Sequence, residues 1–293
     1  MHVIFEHLVP LVEALKPARV QLVGGAVRRA LGAALEGHFA APSATRAELH
    51  PPKWETHGAE MAPSAAVVPP PTPLPPGVER DLAIDLPVDA VVARLQRAGW
   101  TVDDAGRAFG SVRVRVDGLD LPVEITSLRT ERYVAGSRFP QVAFTDDWRQ
   151  DAARRDFTCN AVYVDGEGSV FDPYHGCDDI EARRVVWIGD PLVRAQDDPL
   201  RVLRWARFGC ALGDDLTTLW WRDTDTPAPV QRMDVGEWAR AVGPLTALRG
   251  RKVGAEWAKL TAADVTGHAR AVLLALWPML GDIERRPTKE MPT

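Results

Sequence analysis

Apolar side chains recur at helical spacing from the start of the chain. Val3, Phe5, Leu8, Leu11, Val12 and Leu15 predict a helix over 3–15, ended by Pro17. Arg19 to Val23 reads as a short buried strand, Gly24-Gly25 as a turn, and Ala26 to Ala34 as a helix. Leu82 to Leu86 predicts a strand, followed by a helix from Val88 to Ala98 with Val91, Val92 and Leu95 on one side. Val112, Val114 and Val116 alternate with Ser111, Arg113 and Arg115, the pattern of a half-exposed strand within Phe109–Val116. Gly118 turns the chain and Leu121 to Thr126 returns, giving a hairpin. Arg129 to Thr145 shows no period and reads as an irregular loop. Ala161–Val164 and Val170–Phe171 bracket Asp165-Gly166-Glu167-Gly168, a hairpin turn signature. A helix over Asp178–Ala182, a strand over Val185–Ile188 and a strong helix over Pro199–Ala211 follow. Beyond Gly213 the pattern predicts helices at Val253–Leu260 and Val265–Met279, with Leu273, Leu274, Leu276 and Trp277 as core, then a frayed polar end. Mixed strands carrying one-sided helices predict an α+β fold with a mixed sheet, followed by a short all-α region.

The pattern breaks between residues 37 and 77. Pro, Ala, His and Glu dominate there and end in Pro69-Pro70-Pro71-Thr72-Pro73-Leu74-Pro75-Pro76-Gly77, which predicts a flexible, partly polyproline insertion. The expected organisation is therefore a head built from 1–36 and 78–190, the insertion 37–77, and a helical region 191–293. A net charge of −5 gives no global basic field, so any nucleic-acid contact must come from a local patch, and Arg supplies nearly all the positive charge. Cys159, Cys177 and Cys210 show no metal or disulfide spacing, which fits a reducing compartment. With no charged-then-apolar leader and no run of about 18 apolar residues, the expectation is a cytoplasmic protein that does not span a membrane. The ten Trp residues are expected mainly in the core.

Several clusters carry chemistry. Glu79 and Asp81 stand two apart on a predicted strand, so both carboxylates project to one face and could hold Mg²⁺ ions. Gly24-Gly25 opens a helix whose free N–H groups form a phosphate cradle, and Arg28 can reach a triphosphate held there. Ala153-Arg154-Arg155-Asp156-Phe157-Thr158-Cys159-Asn160 and Asp197-Asp198-Pro199-Leu200-Arg201 set Arg beside Asp among apolar residues, which is costly unless the charges meet each other or a ligand. Asp198 and Arg201, at i and i+3, are expected to face the same way on a helix. Asp would accept from the amino group and Arg would donate to the ring nitrogen that cytosine and adenine both present. Each feature also has a plain reading: solvated surface acids, a tight turn, an internal ion-pair network.

In this order the pieces resemble the class II tRNA nucleotidyltransferase and bacterial poly(A) polymerase family of the polymerase-β-like superfamily. The resemblance covers about residues 18–32 and 79–212, with a faint echo in Val253-Gly254-Ala255-Glu256-Trp257. It implies a nucleotidyltransferase head, a helical neck after residue 190, and two Mg²⁺ ions on Glu79 and Asp81 with Glu124 as a further catalytic acid. It assigns Gly24, Gly25, Arg28, Arg155, Asp156 and Asn160 to the phosphates and ribose of the nucleotide. Asp198, Arg201, Arg204 and Arg207 are assigned to the nucleotide on the following helix. The implied substrates are CTP and ATP, and the partner is the 3′ end of tRNA or another RNA. The chain departs from the family pattern with Glu79 in place of the usual Asp and Arg29 in place of an Asp. Its C-terminal part is also shorter than the family's, which suggests a partner chain in the missing region. The leading reading is addition of C and A to tRNA. The alternatives are a poly(A) polymerase-like enzyme and a degenerate nucleotide-binding homologue without activity.

Overall fold

The computed structural model describes residues 3–39, 77–133, 140–227, 229–242, 251–264 and 267–275. They belong to two compact units, Met1–Glu181 and Ala182–Thr293. The division lies ahead of the expected one at 190, because Val186–Ile188 pairs into the second unit's sheet. Of the Pro-rich insertion expected at 37–77, residues 40–76 lie outside the described residues, as does 276–293.

The first unit begins with a 3-10 helix at Val3–Leu8 and continues through α1 (Val9–Leu15), β1 (Val20–Val23) and α2 (Gly25–Phe39). Next come β2 (Asp81–Ile84), α3 (Val88–Arg97), β3 (Val102–Asp103), β4 (Ser111–Val114) and β5 (Val123–Ser127). β6 (Arg129–Arg132), β7 (Gln141–Phe144), α4 (Trp148–Ala153), β8 (Tyr163–Asp165), β9 (Val170–Phe171) and α5 (Gly176–Glu181) complete it. Seven strands form one mixed sheet in the order β3-β4-β5-β2-β1-β8-β9. β2 and β5 run parallel, joined by a crossover containing α3, and the remaining neighbours are antiparallel. β1 is buried along its whole length, the polar Gln21 included, with neighbouring strands on both sides.

Helix α3 buries Val91, Val92 and Leu95, the stripe its spacing predicts. Arg94 of α3 donates to the carbonyls of Leu15 (2.7 Å) and Lys16 (3.0 Å), satisfying acceptors that the end of α1 leaves open. The far end of the β1–β2 pair is closed by Asp85, which accepts from the Arg19 backbone N–H and Nε, both at 2.7 Å.

Residues 129–145, expected as an irregular loop, instead hold the antiparallel ribbon β6–β7. β6 is all polar and β7 carries Val142, Ala143 and Phe144 in a row, so neither alternates, and the pairing is visible only when both strands are side by side.

The second unit comprises β10 (Val186–Ile188), α6 (Pro191–Asp197), α7 (Leu200–Leu212), β11 (Thr218–Arg222), β12 (Gln231–Asp234), α8 (Val235–Val242), α9 (Arg251–Ala263) and α10 (His268–Ala275). The all-α expectation for this region is corrected, since β11 lies between parallel β10 and antiparallel β12. The run Thr217-Thr218-Leu219-Trp220-Trp221 is β-branched and aromatic, and such residues favour a pleated surface once a partner strand exists. Trp187, Trp205 and Trp238 are fully buried, with ring centroids 6.0 Å (Trp187–Trp238) and 6.1 Å (Trp205–Trp238) apart. Arg207 of α7 binds Glu256 of α9 at 2.9 Å. Buried Asp264 accepts from Ala269 N at the start of α10. No described helix is long and apolar enough to cross a membrane.

Trp238 joins the strand and helix parts of this core. Replacing it with Ala removes the central ring, and the expected loss of stability is about 3–5 kcal/mol, measured by denaturant unfolding.

Candidate active site

The site is assembled on one transverse line of the large sheet. Val23 pairs with Tyr163 on one side and with Asp81 on the other, and Asp81 pairs in turn with Glu124. Side chains in register on neighbouring strands project to the same face, so Asp81 and Glu124 stand side by side. The backbone N–H of Glu124 donates to Arg80 O at 3.1 Å, which carries the parallel ladder back to the segment holding Glu79. Of the two acids expected on one strand, only Asp81 is in β2, at its first residue and half-buried, while Glu79 precedes the strand and is exposed.

Immediately after Val23 the chain turns at Gly24, whose φ is +76°. A Cβ there would lie 3.2 Å from Asp81 Oδ2, so the turn leaves only a hydrogen's width beside the carboxylate. Helix α2 begins at Gly25, where the space around the Cα is open, and no acidic side chain occupies its first turn. The first turn of α2 thus starts beside the Asp81 carboxylate, and a helix start suits an anion and its counter-cation.

The donor set fits a divalent cation at Glu79 and Asp81, two oxygen ligands at alternating positions of one extended segment. Glu124 is otherwise engaged: Arg113, its partner across the β4–β5 pair, donates to Oε2 from Nε (3.0 Å) and Nη2 (2.9 Å). Among the described residues no three His, Cys, Asp or Glu side chains group to hold a metal. The Arg113 and Glu124 side chains are 57% and 34% exposed, so this ion pair is of the weak surface kind.

One side-chain relay links α2 to the Arg–Asp cluster. Arg28 donates to Asn160 Oδ1, Asn160 Nδ2 donates to Asp156 Oδ1 (3.0 Å), and Phe157 N donates to the same oxygen (2.9 Å). Asp156 and Asn160 are both buried, and Asn160 ends a 3-10 turn, Thr158–Asn160. That turn is held by Thr158 Oγ1 donating to Asp179 (2.8 Å) and by Gly176, where any Cβ would collide with Thr158 O. Burial pushes the Cys159 thiol up to about 12, so it is an inert core group.

Arg155 is committed to protein. It donates to Asp151 Oδ2 (2.9 Å), to the Tyr163 hydroxyl (2.9 Å) and to Asn160 O (3.4 Å). Here the plain reading of the cluster, an internal ion-pair network, describes Arg154 and Arg155, while Asp156 and Asn160 remain with Arg28. The sequence reading overlooked Asp151, Tyr163, Glu131 and Arg129. Asp151 is fully buried and bridges Arg154 (2.7 Å) and Arg155, and Glu131 binds Arg154 and Arg129 at 3.0 Å each. The spacing of Asp151 to Arg154 and Arg155, i+3 and i+4, was the available signal.

In the second unit, Asp198 lies outside the helix on which it was expected. Its backbone is extended (φ −145°, ψ 96°) between α6 and α7, and its Oδ1 accepts from Leu200 N at 3.0 Å. Pro199 is the cause, because the residue before a proline is driven from the helical region. Arg201 is only 5% exposed and donates to Arg194 O at 3.2 Å. Arg207, expected at the nucleotide, spans α7 and α9 through Glu256 and lies over Phe208, 4.1 Å from the ring centroid. Arg204 also lies over Phe208, at 5.7 Å.

Comparison with known proteins follows this geometry. Residues 75–186 match the family model described as the Poly A polymerase head domain. A CCA-adding enzyme of Bacillus pumilus is 39% identical over 134 residues, 45% of this chain and 33% of that protein. A mitochondrial CCA tRNA nucleotidyltransferase 1 of Danio rerio is 33% identical over 129 residues, 44% of this chain and 29% of that protein. The chain thus spans about a third of the length of the curated relatives it matches. A crystal structure of the Bacillus stearothermophilus CCA-adding enzyme in complex with CTP superposes with a TM-score of 0.64 at 23% identity, covering 96% of this chain and 53% of that one. The fold is that of these enzymes, a mixed-sheet nucleotidyltransferase head.

Two outcomes are expected from this geometry. Gly24→Ala strains the left-handed turn by about 1–2 kcal/mol and presses on Asp81, so nucleotide binding weakens while the fold persists, as titration and thermal unfolding will show. Burial alone would raise the Asp151 pKa, but Arg155, then Arg154, and the Tyr163 hydroxyl hold it well below the usual carboxylate range. A depressed folded pKa gives stability that is present above the unfolded value of about 4 and is lost as pH falls through the folded value. Asp151→Asn should therefore cost about 3–5 kcal/mol at neutral pH, by leaving the buried Arg155 without its carboxylate and Arg154 with Glu131 alone, and flatten the loss of stability below pH 4.

Proposed function

We propose that this chain, with its poly(A) polymerase head domain over residues 75–186 and its CCA-adding relatives, is a template-independent RNA nucleotidyltransferase. It adds C and A to the 3′ end of tRNA from CTP and ATP. The observation that carries the reading is the meeting of Asp81 Oδ2 with the Gly24 turn at the start of α2, beside Glu124 in register. A carboxylate, a free helix start and a relay to a ribose-binding pair converge within one unit.

The triphosphate lies at the open N–H groups of α2, where helix start and Gly24 turn accept oxygen anions without a side-chain obstacle. Arg28 reaches from the same helix toward Asn160, so phosphate and sugar contacts are built on one scaffold. Asp156 accepts from the ribose hydroxyls and Asn160 can accept or donate. Glu79 and Asp81 would hold Mg²⁺, which supplies neutralisation of the leaving pyrophosphate and activation of the attacking hydroxyl. The 3′-hydroxyl oxygen of the acceptor forms the new bond to the α-phosphorus, and the bond to pyrophosphate breaks. Holding the hydroxyl and the α-phosphate in line is the chief task of the protein groups. Glu79 is one methylene longer than an aspartate and still supplies two oxygens. The surface pair with Arg113 can yield Glu124 to the site at small cost.

Base choice is assigned by the family resemblance to Asp198 and Arg201 of the second unit, where Asp198 Oδ1 accepts from Leu200 N and Arg201 donates to Arg194 O. An acceptor and a donor together match the amino group and ring nitrogen of cytosine and adenine, and mismatch guanine and uracil. The three cysteines are free thiols, which supports a cytoplasmic setting.

The test supplies purified protein with tRNA lacking its 3′ CCA, Mg²⁺, and labelled CTP or ATP. Incorporation of C and then A is expected, falling by roughly a hundred- to a thousandfold or more in Asp81→Ala. Incorporation of A alone would replace the reading with a poly(A)-type activity. Nucleotide binding without incorporation would replace it with a nucleotide-binding homologue that does no chemistry.

A further inference from the structure

We infer that Asp151 is a positioning residue for the nucleotide's sugar: through Arg155 and Tyr163 it fixes Asn160, and discrimination against 2′-deoxy nucleotides depends on it. This rests on the proposed reading of Asp156 and Asn160 as the ribose grip.

Both oxygens of Asp151 are fully used. Oδ1 accepts from Arg154 Nε (2.8 Å) and from the backbone N–H of Arg129 (3.2 Å). Oδ2 accepts from Arg155 Nη2 (2.9 Å) and the Tyr163 hydroxyl (2.8 Å). The Tyr163 hydroxyl in turn accepts from Arg155 Nε (2.9 Å), so carboxylate, phenol and guanidinium form a closed triangle. Arg155 lies over the Tyr163 ring, 5.0 Å from its centroid. These bonds hold the Arg155 guanidinium in place, and its Nη1 donates to Asn160 O (3.4 Å).

Asn160 is where the positioning becomes chemical. Its amide is divided between Arg28 and Asp156, so a rotation of its backbone would break both contacts. Asp156 Oδ1 already accepts from Phe157 N and Asn160 Nδ2, which sets the carboxylate plane. A 2′-hydroxyl is distinguished from a hydrogen only by a polar group held in place, because a loose acceptor relaxes to water when the hydroxyl is absent. The triangle also has a second hold on the site. Tyr163 pairs with Val23, the residue before the Gly24 turn, so one rigid group sets both the sugar contacts and the phosphate turn.

A merely structural ion network would affect stability and leave sugar preference alone. The test therefore compares CTP with dCTP binding, by equilibrium titration without an RNA acceptor, in the wild-type chain, Tyr163→Phe and Asp151→Asn. Tyr163→Phe keeps the ring and removes only the hydroxyl, so it remains informative if Asp151→Asn unfolds. Thermal unfolding is recorded beside each titration. The expected result is a wild-type preference for CTP that shrinks about five- to tenfold in Tyr163→Phe, through weaker CTP binding with dCTP unchanged. An unchanged CTP/dCTP ratio in Tyr163→Phe, with a lowered unfolding temperature, overturns the inference and leaves the ribose reading standing. Equal binding of CTP and dCTP by the wild-type chain overturns both.

Discussion

The register of one short strand sets the geometry of the candidate site. β1 lies between β2 and β8, and Val23 is held opposite Asp81 on one side and Tyr163 on the other. From this residue the line extends through Glu124 on β5 and Arg113 on β4. A slip of one residue would turn Asp81 to the opposite face and remove Tyr163 from Asp151. The slip is prevented by burial: Val20, Leu22 and Val23 are apolar and covered, and Arg19 with Asp85 clamps the far end of the pair. Core packing and site chemistry therefore share one constraint.

Charge is handled differently in the two places where it gathers. At the Asp151 cluster, acids and guanidinium groups are removed from water and satisfy each other, which tolerates burial at a high desolvation cost. At the Gly24 turn a half-buried carboxylate lies against the start of α2, where a Cβ on Gly25 would meet no neighbour. The first is a closed network of mutual ion pairs, and the second is a helix start beside a carboxylate. The relay from Arg28 through Asn160 to Asp156 connects them.

The departures from the family pattern are concentrated around the same line. Glu79 is one methylene longer than the usual Asp, and Arg29 adds charge on the exposed side of α2. Glu for Asp keeps the charge, whereas Arg for Asp reverses it. In the second unit, the β11–β12 hairpin and its Trp core stand where helices were expected.

The sequence by itself determined the elements that announce themselves locally. The alternation in 111–116, the apolar stripe of α3, the Gly24-Gly25 turn and the Asp165–Gly168 hairpin each follow from neighbours a few residues away. Pro199 was also sufficient to place Asp198 outside its helix, a local rule that the i, i+3 spacing had obscured. Only the tertiary structure decided the rest. β6–β7 and β11–β12 are strands because a partner supplies their hydrogen bonds, and polar or isolated segments carry no period that foretells it. Asp151 became the centre of a network because folding buried it between Arg154, Arg155 and Tyr163, and burial is a property of the surroundings. The same holds for Arg207, whose partner Glu256 lies 49 residues away and meets it only when α7 and α9 pack.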